Sequence, residues 1–141
     1  MLLNPMAEAS LVLFESFEAP NGVLCVYESG KHVPFDVQRV FTICAKSGQV
    51  RGEHAHKRCT QLLVCLVGQI LVHCENGQTS RQYLLNNMAT GLLIPPGVWA
   101  KQKYLVDDSV LMALCDRSYE SEDYIRDYYE FRSFLGLKES K

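Results

Sequence analysis

The chain has 141 residues, 48% of them hydrophobic and 21% charged, and a formal net charge of −2. This length and composition suit one globular domain with a real core and argue against wholesale disorder. The small net charge gives no electrostatic reason to expect nucleic acid or an anionic membrane as a partner.

Short apolar runs alternate with turn signals as far as residue 115. They predict nine strands, over residues 11–14, 23–27, 39–45, 61–67, 69–74, 81–85, 91–94, 100–105 and 110–115. Many short strands at regular spacing are typical of an antiparallel sandwich or barrel, whereas βαβ units would alternate strands with helices. We therefore predict one all-β domain over residues 1–141, with its core at about 11–135.

Local signals define one turn and one helix. Asn76-Gly77 separates two strand-like runs and predicts a hairpin. Near the end of the chain, apolar and aromatic residues recur at helical spacing from Ile125 to Leu135, and Gly136 follows them. We expect Ser121 to cap this short C-terminal helix. Three acidic residues then fit its first turn, where the helix dipole favours negative charge: Glu120, Glu122 and Asp123.

The sequence also predicts the cellular compartment. No apolar run approaches the ~20 residues that a membrane helix needs. The segment "MLLNPMAEASLVLFE" lacks the basic region of a signal peptide, so we expect a cytoplasmic protein.

The six cysteines lie mostly within apolar runs such as "LLVCLV", without zinc-finger spacing. We expect them to be small buried hydrophobic residues rather than disulfides or zinc ligands.

The segment "RGEHAHKRCTQ" places His54 and His56 one residue apart. In a strand, residues i and i+2 point to the same face, so the two imidazoles would project together while Glu53 and Ala55 point away. Such a pair can bind a metal, transfer protons, or be two ordinary polar residues of an edge strand.

The surrounding spacing resembles the two sequence motifs of the cupins. Gly48 and Gly68 bracket the histidine pair as in the first motif, and Gly91 followed by "PPG" resembles the second. The resemblance implies a jelly-roll β-barrel. However, the positions of the metal-binding carboxylate and of the second-motif histidine are held by Gln61 and Ala100. We therefore expect no metal and no other cofactor, because two of four ligands are missing.

Two imidazoles without a metal suit proton transfer next to a carbonyl group. Their ordinary pKa near 6.5 makes both protonation states accessible at neutral pH. The nearby cations Arg39 and Arg51 can stabilise developing negative charge or hold an anionic substrate.

Four segments together are similar to the bacterial nucleotide-sugar 3,4-ketoisomerases: "RVFTI…RGEHAHK", "QLLVCLVGQILV", "GLLIPPGVWA" and "YESEDYIRDYYEF". The similarity covers about residues 11–135 in the same order. It implies isomerisation of dTDP-4-keto-6-deoxyglucose to a 3-keto sugar, a step towards dTDP-linked 3-amino-3,6-dideoxy sugars. It also implies a metal-independent jelly roll that forms a homodimer with exchanged N-terminal strands.

The resemblance assigns roles to matching positions. His54 and His56 match the paired active-site histidines, and His56 is expected to be the main base. Arg39 is expected to face the substrate. Arg51 either serves the diphosphate or pairs with a neighbouring carboxylate, and Lys57, beside the histidines, is a further candidate for substrate binding.

Two further candidates have two interpretations each. Trp99 either stacks on the nucleotide base or packs at the barrel rim. Glu28 is either an acid of the pocket or a solvated strand end.

Three differences from relatives leave other functions open. Asn21 replaces an arginine before Gly22, Ala100 replaces a histidine after the tryptophan, and Phe35 stands where some relatives carry a tyrosine. Each removes a polar group from the expected site. One alternative is therefore a dTDP-sugar-binding cupin without turnover. Another is a 3,5-epimerase on the same fold, which would need a histidine base opposite a tyrosine acid.

Overall fold

The computed structural model describes residues 7–137 and contains an antiparallel jelly roll with a short C-terminal helix. Its strands are β1 (Ser10–Leu13), β2 (Glu15–Ala19), β3 (Gly22–Val26), β4 (Arg39–Ala45), β5 (Val50–His56), β6 (Gln61–Val67), β7 (Ile70–Glu75), β8 (Ser80–Leu85), β9 (Thr90–Ile94), β10 (Trp99–Tyr104), β11 (Ser109–Cys115) and β12 (Tyr124–Ile125). A 3₁₀ turn (Ser121–Asp123) precedes β12, and helix α1 (Tyr128–Phe134) follows it. All nine predicted strands are confirmed, with boundaries shifted by at most one residue.

Two five-stranded sheets face each other. The first has the order β1-β9-β6-β11-β4 and the second the order β12-β5-β10-β7-β8, while β2 and β3 form a separate hairpin. Side chains that alternate inward from both sheets form the main core, which includes the fully buried Tyr104, Ile70 and Leu111. Strands β4 and β5 carry four of the predicted site residues: Arg39, Arg51, His54 and His56.

The outer face of the first sheet is also covered. Val33, in the connection that follows the β2–β3 hairpin, packs with Leu62, Val64 and Leu114 in a second apolar cluster. The ring of Phe14 joins this cluster and lies directly on Gly91. A Cβ at Gly91 would come within 2.7 Å of that ring, so the motif glycine is required by close packing.

The predicted hairpin is confirmed between β7 and β8, which pair from Ile70↔Leu85 to Glu75↔Ser80. The side chain of Asn76 accepts hydrogen bonds from the backbone N–H groups of Gln78 and Thr79, which closes the turn.

The predicted start of the C-terminal helix was wrong. Ser121 does not cap α1; the helix begins at Tyr128, and its N-cap is Asp127, whose side chain accepts from the backbone N–H of Tyr129. Before it, Tyr124–Ile125 pairs with β5, and this tertiary pairing overrides the local helical signal. Gly136 lies just after the helix with a positive φ of 75°, as predicted for a C-terminal glycine.

Helix α1 covers the outer face of the second sheet, where Ala55, Ile125 and Phe131 form a small buried cluster. No helix in residues 7–137 is long and apolar enough to cross a membrane.

Four of the six cysteines are buried as expected, whereas Cys25 is half-buried and Cys44 is exposed on the outer face of β4. The prediction of a buried thiol was therefore wrong for Cys44.

Candidate active site

The centre of the site is a buried pair formed by His56 and Asp123. The imidazole Nδ1 donates to the carboxylate Oδ2 at 2.8 Å, and both side chains are less than 7% exposed. The carboxylate also accepts from the backbone N–H groups of Arg58 and Cys59, at 2.6 and 3.3 Å. These bonds hold Asp123 in place and, through it, fix the orientation of the imidazole.

Burial and hydrogen bonding set the charge of this pair. Burial lowers the pKa of His56, and the attraction of Asp123 only partly offsets it. Burial alone would raise the pKa of Asp123, but the hydrogen bonds from His56 and the backbone lower it. The pair is therefore a neutral imidazole beside a carboxylate. Because Nδ1 carries the proton, Nε2 of His56 presents a lone pair, and it is buried without a hydrogen-bond partner.

His54 lies next to this pair, with its ring centroid 5.0 Å from that of His56. Its Nδ1 lies 2.9 Å from the carbonyl oxygen of Gly52. Burial lowers the pKa of His54 to about 4, so this imidazole is neutral as well. The prediction that the two histidines project together from one strand face is confirmed.

A β-bulge changes which face of β5 carries Arg51. Gly52 and Glu53 have positive φ angles of 91° and 50°, and the pairing with β10 skips one residue at Glu53. Arg51 pairs with the buried Gln102, and His54 pairs with Ala100, so both lie on the inner face. Simple alternation from His54 would have turned Arg51 to the outside.

The inner face at this point borders a cavity of about 360 Å³. Its lining comprises Arg39, Phe41, Thr42, Ile43, Arg51, Gly52, His54, Gln61, Gln102, Tyr124 and Arg126. Three arginines and no carboxylate belong to this lining, so the cavity suits an anionic ligand.

Arg39 is held by aromatic groups. Its guanidinium lies 4.8 Å from the ring centroid of Phe41 and 5.1 Å from that of Tyr119, and its Nη2 donates to the hydroxyl of Tyr124 at 3.1 Å. Arg51 has no carboxylate partner within residues 7–137 and stays exposed at the cavity. This favours ligand binding over the salt bridge that the sequence left open.

Four predicted site residues lie outside this lining. One is His56, whose ring centroid nevertheless lies 5.0 Å from that of His54 and 4.4 Å from that of Tyr124, two residues of the lining. Lys57 is exposed at the end of β5, and its backbone N–H donates to the carbonyl of Asp123. Trp99 packs against Tyr128 and Phe131 on the outer side of the second sheet. Glu28 is exposed in the loop after β3.

The sequence missed Asp123, Tyr124 and Arg126. Asp123 belongs to the 3₁₀ turn and not to the first turn of the C-terminal helix, and it is the buried partner of His56. Tyr124 is the cross-strand partner of His56, and its ring lies 4.4 Å from that of His56 and 5.1 Å from that of His54. The only local signal for these residues is the run "EDYIR", which also fits a helix start.

Two of the four positions that supply metal ligands in cupins, Gln61 and Ala100, do not supply one here. Gln61 is buried and donates to the Sγ of Cys115, and Ala100 has no donor atom. The donor atoms of His56, Cys59 and Asp123 do lie within 4.8 Å of one another. This grouping is accounted for by hydrogen bonding, because the carboxylate already accepts three N–H groups.

Comparison with known proteins identifies the family. A family model described as FdtA, WxcM-like, C-terminal, matches residues 7–136. The chain belongs to the FdtA family. A curated relative, the TDP-4-oxo-6-deoxy-alpha-D-glucose-3,4-oxoisomerase of Aneurinibacillus thermoaerophilus, is 34% identical over 130 residues, which are 92% of this chain and 94% of that protein.

Solved structures agree with this membership. A 3,4-ketoisomerase from Helicobacter canadensis superposes with a TM-score of 0.88 at 27% identity, covering 92% of this chain and 98% of that one. A histidine-to-asparagine mutant of the 3,4-ketoisomerase QdtA from Thermoanaerobacterium thermosaccharolyticum, in complex with TDP-4-keto-6-deoxyglucose, gives 0.86 at 30% identity, covering 94% of each chain. The resemblance predicted from the four sequence segments is confirmed.

Proposed function

We propose that this member of the FdtA family is a nucleotide-sugar 3,4-ketoisomerase that converts dTDP-4-keto-6-deoxyglucose into a dTDP-3-keto-6-deoxyhexose. The observation that carries the proposal is the buried pair of His56 and Asp123 beside a cavity that three arginines line. The relative from A. thermoaerophilus, named for this chemistry and similar over nearly the whole chain, supports the choice of substrate.

The reaction requires only proton transfers. A base removes the proton on C3, which is acidified by the C4 ketone, and protonation of the C4 oxygen gives an enediol. Loss of the proton from the C3 oxygen and protonation of C4 then leave the ketone at C3. No electrons are exchanged with another molecule, so acid–base side chains can carry out the reaction without a metal or a redox cofactor.

His56 is the base in this proposal. Its Nε2 has a free lone pair, and Asp123 is placed to stabilise the imidazolium that forms when Nε2 accepts the C3 proton. The same imidazolium returns the proton to C4. A carboxylate behind an imidazole acts in this way in other proton-transfer sites, where it fixes the tautomer and stabilises the charged form.

The arginines are suited to the diphosphate of a nucleotide sugar. Arg39 and Arg51 line the cavity, and Arg126 adds a third cation. Planar guanidinium groups form paired hydrogen bonds with phosphate oxygens. Lys57 and Glu28 are exposed and Trp99 packs against helix α1, so the cavity does not support substrate contacts for these three side chains.

Proton NMR of a reaction in D₂O tests the proposal. We expect a new 3-keto sugar from dTDP-4-keto-6-deoxyglucose, with deuterium at C4 where the transferred proton exchanges on the imidazole. His56→Asn should abolish both turnover and exchange. The matched control is His73→Asn, because His73 lies on β7 opposite Lys101, where its Nε2 faces the hydroxyl of Ser80 and not a carboxylate.

Two results would contradict the isomerase. Wild-type protein that binds dTDP in calorimetry but gives no product and no exchange would be a binding protein, as the losses at Asn21 and Ala100 allow. Exchange at C5 together with C3, without a 3-keto product, would indicate a 3,5-epimerase.

We also propose the homodimer with exchanged N-terminal strands. Strand β1 is at the edge of the first sheet, pairs with β9, and exposes 55% of Leu11 and 78% of Leu13. Burial of these apolar side chains against a second copy would stabilise the dimer.

Engineered cysteines distinguish exchange from pairing within one chain. Ser10 and Leu93 are opposed across the β1–β9 ladder, so Ser10→Cys with Leu93→Cys can form a disulfide. In a Cys44→Ser background, exchange predicts a covalent dimer on a non-reducing gel. A cross-linked monomer would contradict exchange, and a monomeric mass by light scattering would contradict the dimer.

A further inference from the structure

In both histidines of the site, Nε2 is the unprotonated ring nitrogen and can only accept a hydrogen bond. Nδ1 of His54 faces the carbonyl of Gly52, and Nδ1 of His56 faces the carboxylate of Asp123. Carbonyl and carboxylate oxygens only accept, so each neutral ring carries its proton on Nδ1 and a lone pair on Nε2. The pair therefore offers two bases and no acid.

The proposed isomerisation also needs an acid. When the C3 proton leaves, the oxygen on C4 must gain a proton, and the oxygen on C3 must later lose one. The site therefore has to contain a group that first donates and then accepts a proton at the substrate oxygens.

Apart from the histidine, only one side chain of the described cavity lining can first donate a proton to a substrate oxygen and then accept one. Guanidinium groups keep their protons, and the side-chain amides of Gln61 and Gln102 neither gain nor lose a proton near neutral pH. The hydroxyl of Thr42 is too weak an acid and belongs to the exposed face of β4. The phenol of Tyr124 remains, because its hydroxyl can donate a proton to one oxygen and the resulting phenolate can accept a proton from another.

The position of Tyr124 fits this role. It is the cross-strand partner of His56, with ring centroids 4.4 Å apart, so the base and the phenol lie side by side on the inner face. Its hydroxyl oxygen accepts a hydrogen bond from Arg39 at 3.1 Å. Because Arg39 is the donor, the hydrogen of the phenol stays available for a substrate oxygen, and the nearby positive charge stabilises the phenolate.

We propose that Tyr124 is the acid–base group at the substrate oxygens, while His56 acts at the carbons. As His56 removes the C3 proton, Tyr124 donates its phenolic proton to the C4 oxygen. The phenolate then takes the proton from the C3 oxygen as His56 protonates C4. Both groups return to their starting states, and the only net change is one proton moved between the carbons and one between the oxygens.

Tyr124→Phe tests this inference, which rests on the proposed isomerase function. The ring remains, so we expect dTDP binding within about threefold of wild type and a kcat about 100-fold or more lower. Tyr129→Phe is the matched control. Tyr129 is exposed on helix α1 and outside the cavity lining, so the kcat of this variant should stay within about threefold of wild type.

A second measurement separates proton transfer from a structural role. Incorporation of a fluorotyrosine at position 124 keeps the shape and makes the phenol more acidic. The alkaline limb of kcat against pH should then move to lower pH, whereas a structural role predicts no movement.

Wild-type turnover with an unaffected Tyr124→Phe would overturn this inference alone, as would an unmoved alkaline limb. Absence of wild-type turnover would overturn the proposed function and this inference with it.

Discussion

His56 and Asp123 lie 67 residues apart in the chain, yet Nδ1 and Oδ2 are 2.8 Å from each other and both side chains are buried. Strand β12 brings them together by pairing Tyr124 with His56 and Ile125 with Ala55. The preceding residue, Asp123, is thereby placed at the end of β5, where the backbone N–H groups of Arg58 and Cys59 hold its carboxylate. The orientation of the proposed base therefore depends on a two-residue strand.

Asp123→Asn should reduce kcat about 100-fold or more. The amide cannot stabilise an imidazolium, and its NH₂ group can donate to Nδ1, which would place the histidine proton on Nε2 and remove the base. Steady-state kinetics by NMR measure the effect. Glu122→Gln is the matched control because Glu122 is a neighbouring, exposed acid. Equal activity of both variants would mean that Asp123 only supports the fold.

The pH dependence of stability should report the burial of His54. Its pKa is about 4 in the folded protein and 6.5 in the unfolded chain, so the unfolded chain binds more protons between these values. The free energy of unfolding therefore falls as the pH falls from 6.5 towards 4, and His54 contributes at most about 3 kcal/mol of the loss.

Urea unfolding of wild type and His54→Gln at pH 7.5, 5.5 and 4.5 measures this contribution. We expect the variant to lose less stability than wild type over this range, because the other titrating groups are present in both proteins. Parallel pH profiles would show that His54 does not titrate with a lowered pKa.

The sequence predicted most of the fold because most strands alternate apolar and polar residues. It missed β2, "ESFEA", which is exposed along its whole length, and did not assign β5 from its pattern. The inner face of β5 carries Arg51, His54 and His56 instead of apolar residues, so the strand lacks the usual periodicity. The polar residues of the site therefore removed the apolar pattern by which β5 could have been predicted.

The site was predicted only in part for a related reason. The histidine pair is visible locally, but Asp123 and Tyr124 reach it through long-range pairing that local periodicity does not encode. Their segment has acidic residues followed by aromatic ones, which is also a plausible helix start. Likewise, the bulge that turns Arg51 inward depends on the contact between Gly52 and β10.

Replacement of Trp99 should reveal its role. Its ring packs against Tyr128 and Phe131 of helix α1, on the other side of the sheet from the cavity. Trp99→Leu should lower the free energy of unfolding by about 1–3 kcal/mol and leave the KM for the dTDP-sugar unchanged. Circular dichroism during urea unfolding and NMR kinetics measure the two effects. A tenfold rise in KM without loss of stability would instead support stacking on the nucleotide base.

Gly52→Ala should damage both the stability and the site, because two constraints act on this glycine. Its φ of +91° disfavours any side chain, and a Cβ would lie 3.1 Å from the carbonyl oxygen of Ala100. Gly48→Ala separates these constraints, since Gly48 has a similar φ of +88° with open space around its Cβ position. We expect a cost of about 1 kcal/mol for Gly48→Ala and about 2–3 kcal/mol for Gly52→Ala. Only Gly52→Ala should also raise the KM, because a shifted bulge moves Arg51 and His54. Equal effects of the two substitutions on unfolding and on KM would show that the contact with β10 does not position the site.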